Sequence, residues 1–299
     1  MSSRARQGRE RTWLHRLDHY QQRSWLGFPI AVGIQYGRDR CGAFAAMIAF
    51  YGYLSILPLF LVAMSLAKIV LGGTDAEQRV LDAIVDAFGV VGEQLVQNIQ
   101  PTTGDVVAIT VGLLVALWGG LGVMQSVQLA FNDIWNVNLD RRPDFLRSRL
   151  RSLITIVLLG VIVLIAAIVP ALMTVLGFSD LSRFVGFVIS YVIAILMLLV
   201  TYRALASREL SWGNVAAGAA VAGAVWVLLQ VVGSLLLGRW IREASQLYGL
   251  FGVSFGLLVW ISLAAQIVLA GAEINVVRVR RLWPRSILGR HHPPAQSGD

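Results

Sequence analysis

Six polar side chains stand within or at the ends of long apolar runs: Gln125, Gln128, Asn132, Asp133, Glu273 and Asn275. A polar group placed in hydrocarbon is expensive, so such positions carry information. Gln125, Gln128 and Asn132 recur at i, i+3 and i+7, which puts them on one face of a helix, with Asp133 following. That face can line a cavity or substrate path, or it can make interhelical hydrogen bonds worth about 1 kcal/mol or less each. Glu273 closes the last apolar run, with Asn275 nearer to water. Its carboxylate can relay a proton or cation, or meet a bound headgroup. It can equally be an interfacial group paired with Arg278 or another arginine. Gln230 and Gln266 are isolated amides and read as structural.

Catalytic chemistry has few residues to draw on. Hydrolytic nucleases commonly gather Asp, Glu or His around metal ions, yet His15, His19, His291 and His292 all fall in the terminal segments. The apolar runs hold no HxE, HxHxD or paired-carboxylate motif, and the chain has no GxxxxGK[ST] phosphate loop. The single cysteine, Cys41, excludes an internal disulfide or a multi-cysteine metal site. No catalytic residue, metal or cofactor is expected, and the chain is not read as an enzyme. A candidate hinge exists instead. Pro58 and Pro170 each interrupt an apolar run and free a backbone carbonyl. Tyr51 and Ser55 share a face with Pro58 and are placed to serve that carbonyl. These prolines are either hinges for alternating access or static kinks.

The elements that position these groups follow from composition. Of 299 residues 57% are hydrophobic and 14% charged, and mean hydropathy is +0.69. Soluble domains carry about 25% charged residues, so the bilayer is the expected solvent. Stretches 41–67, 106–132, 152–179, 184–202, 210–238 and 244–272 lack Asp, Glu, Lys and Arg. Each is long enough to cross about 30 Å of hydrocarbon as a helix, and far longer than the strands of a barrel. The expected fold is all-α, a polytopic bundle of six transmembrane helices at about 43–70, 106–131, 152–178, 184–203, 212–238 and 249–276. Residues 1–40 contain no signal-peptide apolar core, so the first run is expected to stay as an anchor.

Charge sets the expected orientation. Segments 1–42, 133–151, 203–209 and 273–299 hold 20 of the 24 arginines. The other side has Arg79, Arg183, Arg239, Arg242 and Lys68. The positive-inside rule then places both ends in the cytoplasm, and it accounts for the net charge of +8 without nucleic acid. Outside the spans, Trp13, Leu14, Leu17 and Tyr20 share a face and predict an N-terminal interfacial cytoplasmic helix. Pro29 separates it from a short segment leading to the first span. Thr74-Asp75-Ala76-Glu77 reads as a capping box opening an outer amphipathic helix over 74–99. Residues 280–299 form a basic tail of disordered composition. The expected partners are the bilayer and anionic phospholipids; a homo-oligomer is left open. Ala216, Ala220 and Ala224, with Gly218, and Gly252 with Gly256, are small residues that let helices approach closely.

Tyr51, Ser55 and Pro58 stand in a Tyr-x-x-x-Ser-x-x-Pro spacing, and Asn132-Asp133-Ile134-Trp135 follows the second run. Trp212 and Gly218, Tyr248-Gly249, Trp260 and Gly271-Ala272-Glu273-Ile274-Asn275 come after, in that order. Over residues 25–280 this pattern resembles the YihY/BrkB family, formerly labelled ribonuclease BN-like. Ala217 stands where that family often has Pro. The resemblance implies a bacterial inner-membrane protein with a six-helix core, tied to envelope integrity, for which transport of a lipid has been suggested. The residues give the nuclease label no support.

Overall fold

The computed structural model describes the backbone of residues 27–72, 74, 78, 106–175, 182–206, 210–248 and 250–283. Side chains are described for most of these, but not for 163–187 or 233–253. The interfacial helix expected before residue 27, most of the outer helix over 74–99 and the tail from 284 lie outside the described residues; Thr74, which opens the expected capping box, is described and donates its hydroxyl to the Leu71 carbonyl.

The described residues are helical, without a strand. The helices are α1 (Gly27–Arg38), α2 (Cys41–Leu71), α3 (Val106–Ile134), α4 (Phe145–Val175), α5 (Ser182–Leu205), α6 (Trp212–Tyr248) and α7 (Leu250–Val279). A single 3₁₀ turn, Leu139–Arg141, joins α3 to α4. Five of these helices, α2, α3, α5, α6 and α7, are long and apolar enough to cross a membrane. The expectation was six; the remaining run, 152–178, falls on α4 and extends into residues that are not described.

The segment after Pro29 is a helix, α1, because a proline in a first turn removes an N–H that has no intrahelical acceptor anyway. α2 continues through Pro58 and the α4 backbone through position 170. Ser55 Oγ donates to the Gly52 carbonyl at 3.0 Å, not to the carbonyl that Pro58 frees four residues before it.

Packing explains the arrangement. α2 lies along α3 and also touches α7, α6 sits between α5 and α7, and α1 packs on α7. The α2–α3 seam is a row of glycines facing the residues of the candidate hinge. A Cβ at Gly119 would stand 2.6 Å from Ser55 Cβ, and one at Gly122 would stand 2.5 Å from the Tyr51 ring. A Cβ at Gly112 would meet Val62 at 3.2 Å and the Pro58 carbonyl at 3.7 Å. Without side chains on α3, the backbones approach closely and dispersion holds them. Tyr51, Ser55 and Val62 are thus knobs in a glycine-lined groove.

The core gathers at one end. Cys41 and Ala45 open α2, Phe131 and Ile134 close α3, Tyr202 and Leu205 close α5, Val215 opens α6, and Leu269 and Val276 close α7. The arginines cluster at this same end: Arg38, Arg40, Arg141, Arg142, Arg203, Arg278 and Arg281 flank these termini. Both α3 and α7 stop there in the same way. Asn136 and Arg281 take left-handed φ of 49° and 51°. Val137 N–H donates to the Asn132 carbonyl at 2.8 Å and Leu282 N–H to the Val277 carbonyl at 3.0 Å. These are Schellman caps, which satisfy carbonyls a helix end would otherwise leave open.

Candidate functional site

The site is built where α1, α2, α6 and α7 meet at the arginine-rich end. α2 begins two residues after α1, and Arg40, in left-handed conformation at φ 55°, makes that sharp link. The turn puts Tyr36, Asp39 and Cys41 beside the last turns of α7. Glu273 has no exposed surface. Its Oε1 accepts from Cys41 Sγ at 3.3 Å, its Oε2 makes no hydrogen bond, and Asp39 and Arg280 are its charged neighbours. Asp39 accepts from Gln35 Nε2 at 2.7 Å. The Tyr36 hydroxyl is buried without a hydrogen bond. Burial pushes this phenol above its ordinary value, with Cys41 and Glu273 adding to the effect, so it stays a neutral O–H donor.

Asn275 is buried next to this cluster and ties α7 to α6, its Oδ1 accepting from the Gly218 N–H at 2.7 Å. The approach is close enough that a Cβ at Gly218 would collide with the Gly271 carbonyl and stand 2.5 Å from Asn275 Nδ2. One at Gly271 would collide with the Tyr202 hydroxyl, which donates to the Val268 carbonyl at 2.8 Å. Three helices are therefore joined by side chain to backbone bonds around two glycines. Arg280 donates to the Trp135 carbonyl, tying the end of α7 to the end of α3.

The polar face of α3 is arranged differently. Gln128 is buried, and its amide faces α4. Nε2 donates to Ser152 Oγ at 2.7 Å and to the Ser148 carbonyl at 3.2 Å, while Oε1 accepts from Ser148 Oγ at 2.6 Å. Asn132 is buried, Gln125 half-buried and Asp133 exposed. Asp133 pairs with Arg142 at 2.7 Å, and Arg142 also donates to the Val137 carbonyl at 3.2 Å. That pair staples the α3 cap to the following loop. Of the expected site residues, Glu273 turns to Cys41 and Asn275 to the Gly218 backbone, on different sides of α7. Gln128 belongs to an α3–α4 clamp and Asp133 to a surface turn. The expectation was Glu273 beside Arg278 or another arginine: Arg278 is exposed, and the arginine whose charge reaches Glu273 is Arg280.

Beside the cluster, a groove of about 490 Å³ runs between α6 and α7. Val221, Val225 and Val232 line one wall, Leu263, Ile267 and Ile274 the other, and Tyr36 closes one end. Gln266 is among the lining residues; none of Gln125, Gln128 and Asn132 is. Tyr36 had no sequence signal, because its segment was not read as a helix. The α3 glycines had one, recurring at i, i+7 and i+10.

A ribonuclease-like protein, YfkH, of Bacillus subtilis (strain 168) is 24% identical over 251 residues, covering 79% of this chain and 90% of that protein. A UPF0761 membrane protein of Alkalilimnicola ehrlichii is 28% identical over 120 residues, 40% of this chain and 27% of that one. The UPF0761 membrane protein ACIAD3168 of Acinetobacter baylyi is 22% identical over 271 residues, 86% of this chain and 63% of that one. The matched region is thus less than two thirds of either UPF0761 protein. No solved structure matches. The family model for virulence factor BrkB matches residues 34–294, a range that takes in the α1–α2 turn, both glycine seams and the buried Glu273. This chain is a membrane protein of the virulence factor BrkB family.

Proposed function

We propose that the chain is a six-span protein of the bacterial inner membrane, with both ends in the cytoplasm, that supports envelope integrity by transporting a lipid or other amphipathic substrate. One observation carries this reading: the buried cluster of Tyr36, Cys41 and Glu273, in which the Tyr36 hydroxyl has no hydrogen bond and the Glu273 carboxyl meets only the Cys41 thiol and the neighbouring Asp39 carboxyl. A buried carboxylate costs several kcal/mol unless its oxygens are satisfied. A bundle that only had to stand in the membrane gains nothing from carrying that cost. The arginine count supports the orientation, and the bacterial sources of the relatives support the compartment.

Reconstitution tests it. In proteoliposomes with a headgroup-labelled phospholipid in one leaflet, the protein is expected to speed loss of asymmetry, and Glu273→Gln to slow it without loss of folded protein. No acceleration over protein-free vesicles sinks the transport reading. A second reading, a non-catalytic scaffold binding envelope partners or anionic lipids, draws on the α3–α4 clamp, where Gln128 is satisfied internally. It gains if crosslinking in membranes traps a defined protein partner while transport is absent. Ribonuclease activity is the name of the Bacillus relative, and we do not carry it over. RNA cleavage by the purified protein that is lost in Glu273→Ala would reverse that decision.

A further inference from the structure

The groove between α6 and α7 has the shape and polarity of a single amphiphile. Its walls are apolar over Val221, Val225 and Val232 on one side and Leu263, Ile267 and Ile274 on the other. From Leu263 to Ile274, α7 rises ~17 Å at about 1.5 Å per residue. That is close to the depth of one leaflet, half of about 30 Å of hydrocarbon. The volume, about 490 Å³, lies within the roughly 300–1,000 Å³ of small-molecule sites. Val221, Val225, Leu228 and Leu263 are exposed at its lips, as expected of a cleft open sideways to lipid.

The two ends differ. At the end nearest the arginines, the Tyr36 hydroxyl is buried without a partner. Arg278 follows Ile274 by one turn on the same face of α7 and is exposed. Of the nearby acids, Asp39 accepts from Gln35 and Glu273 accepts from Cys41 through Oε1 alone. At the other end, Leu263 and Val232 are apolar, and the amide of Gln266, one turn along α7, donates to Ser262 Oγ at 3.3 Å. A neutral donor and a guanidinium at the mouth, above a leaflet-deep apolar channel, match a phosphate headgroup on an acyl chain.

We propose that this groove is a binding site for one anionic glycerophospholipid, with an acyl chain along α6 and α7 and its phosphate at Tyr36 and Arg278. The inference rests on the membrane orientation proposed above but not on transport.

The test uses full-length protein in nanodiscs of mixed phosphatidylglycerol and phosphatidylcholine. Each lipid in turn carries a mid-chain photoactivatable diazirine, and adducts are mapped by mass spectrometry. Labelling is expected to concentrate on groove residues over Val157 and Val161, which are exposed on α4. Phosphatidylglycerol is expected to outlabel phosphatidylcholine about five-fold, the discrimination one arginine gives near an anionic headgroup. Arg278→Gln should level the two lipids, and Ala270→Trp, or Val225→Trp if the first variant does not fold, should remove the groove adducts. Even labelling of groove and α4, an adduct to a second copy of the chain, or unchanged lipid preference in Arg278→Gln would overturn the site. Groove labelling without lipid translocation leaves this site standing and removes the transport reading. Translocation that persists in a folded, groove-plugged variant lacking adducts shows that the lipid is held and not carried there. Translocation with no groove adduct in the parent protein removes the site alone.

Discussion

Gly119 and Gly160 both sit inside long apolar helices, yet a methyl group would meet different surroundings at each. At Gly119 it meets Ser55 Cβ at 2.6 Å and the Ser55 backbone at 3.0 Å, whereas at Gly160 nothing lies within 4 Å. Backbone cannot swing aside, so Gly119→Ala is expected to destabilise the protein by about 1–3 kcal/mol. Gly160→Ala should be neutral or stabilise by up to about 1 kcal/mol, since alanine favours helix. Unfolding in mixed micelles with rising SDS compares them; equal effects would dissolve the seam argument. Tyr202 makes a smaller prediction. Its hydroxyl donates to the Val268 carbonyl at 2.8 Å and its ring packs 5.5 Å from Phe131. Tyr202→Phe keeps the ring and loses the bond, so a loss of about 0.5–1.5 kcal/mol is expected, and Tyr202→Ala should cost more through the cavity.

At the scale of elements, the caps of α3 and α7 are the most testable features. Asparagine tolerates left-handed backbone better than most residues, which suits Asn136, while Arg281 has no such preference. Arg281→Gly is expected to leave the bond from Leu282 N–H to the Val277 carbonyl intact and to raise stability by about 1 kcal/mol. Asn136→Val should lower it by about 1–2 kcal/mol, read by the same SDS titration. Hydrogen exchange at Val137 and Leu282 would report whether each cap persists. The Asn136 cap was within reach of sequence reasoning, since Asn past a helical run is a stop signal. The Arg281 cap was not, because arginine carries no local preference for that conformation. It is held by Leu282 packing beside Val277 and Ile274.

For the molecule as a whole, the prediction concerns the path through the bilayer. Alkaline phosphatase and fluorescent-protein fusions at the C-terminus and at 180–183 should read cytoplasmic and external respectively, if α4 crosses as the proposed six-span order requires. Phosphatase activity at the C-terminus would refute that order. The buried polar cluster depends on this scale as well. Tyr36, Cys41 and Glu273 come from three helices, and no spacing rule relates residues so far apart in sequence.

Composition and run length determined that this chain is a helical membrane protein, because hydrocarbon admits only apolar surfaces and self-satisfied backbones. Charge-free runs likewise located five membrane-length helices, and the motif order located the family. Which polar groups meet was decided only by tertiary packing. Gln128 turned to the α4 serines and Glu273 to Cys41 because close approach at Gly119, Gly218 and Gly271 fixed how the helices rotate about their axes. A helix with apolar residues on every side contains little information about that rotation. Of the six polar residues singled out in the sequence, Gln128 therefore belongs to an interhelical clamp, Asp133 to a surface turn, Asn275 to the α6–α7 contact and Glu273 to the buried cluster at the head of a lipid-sized groove.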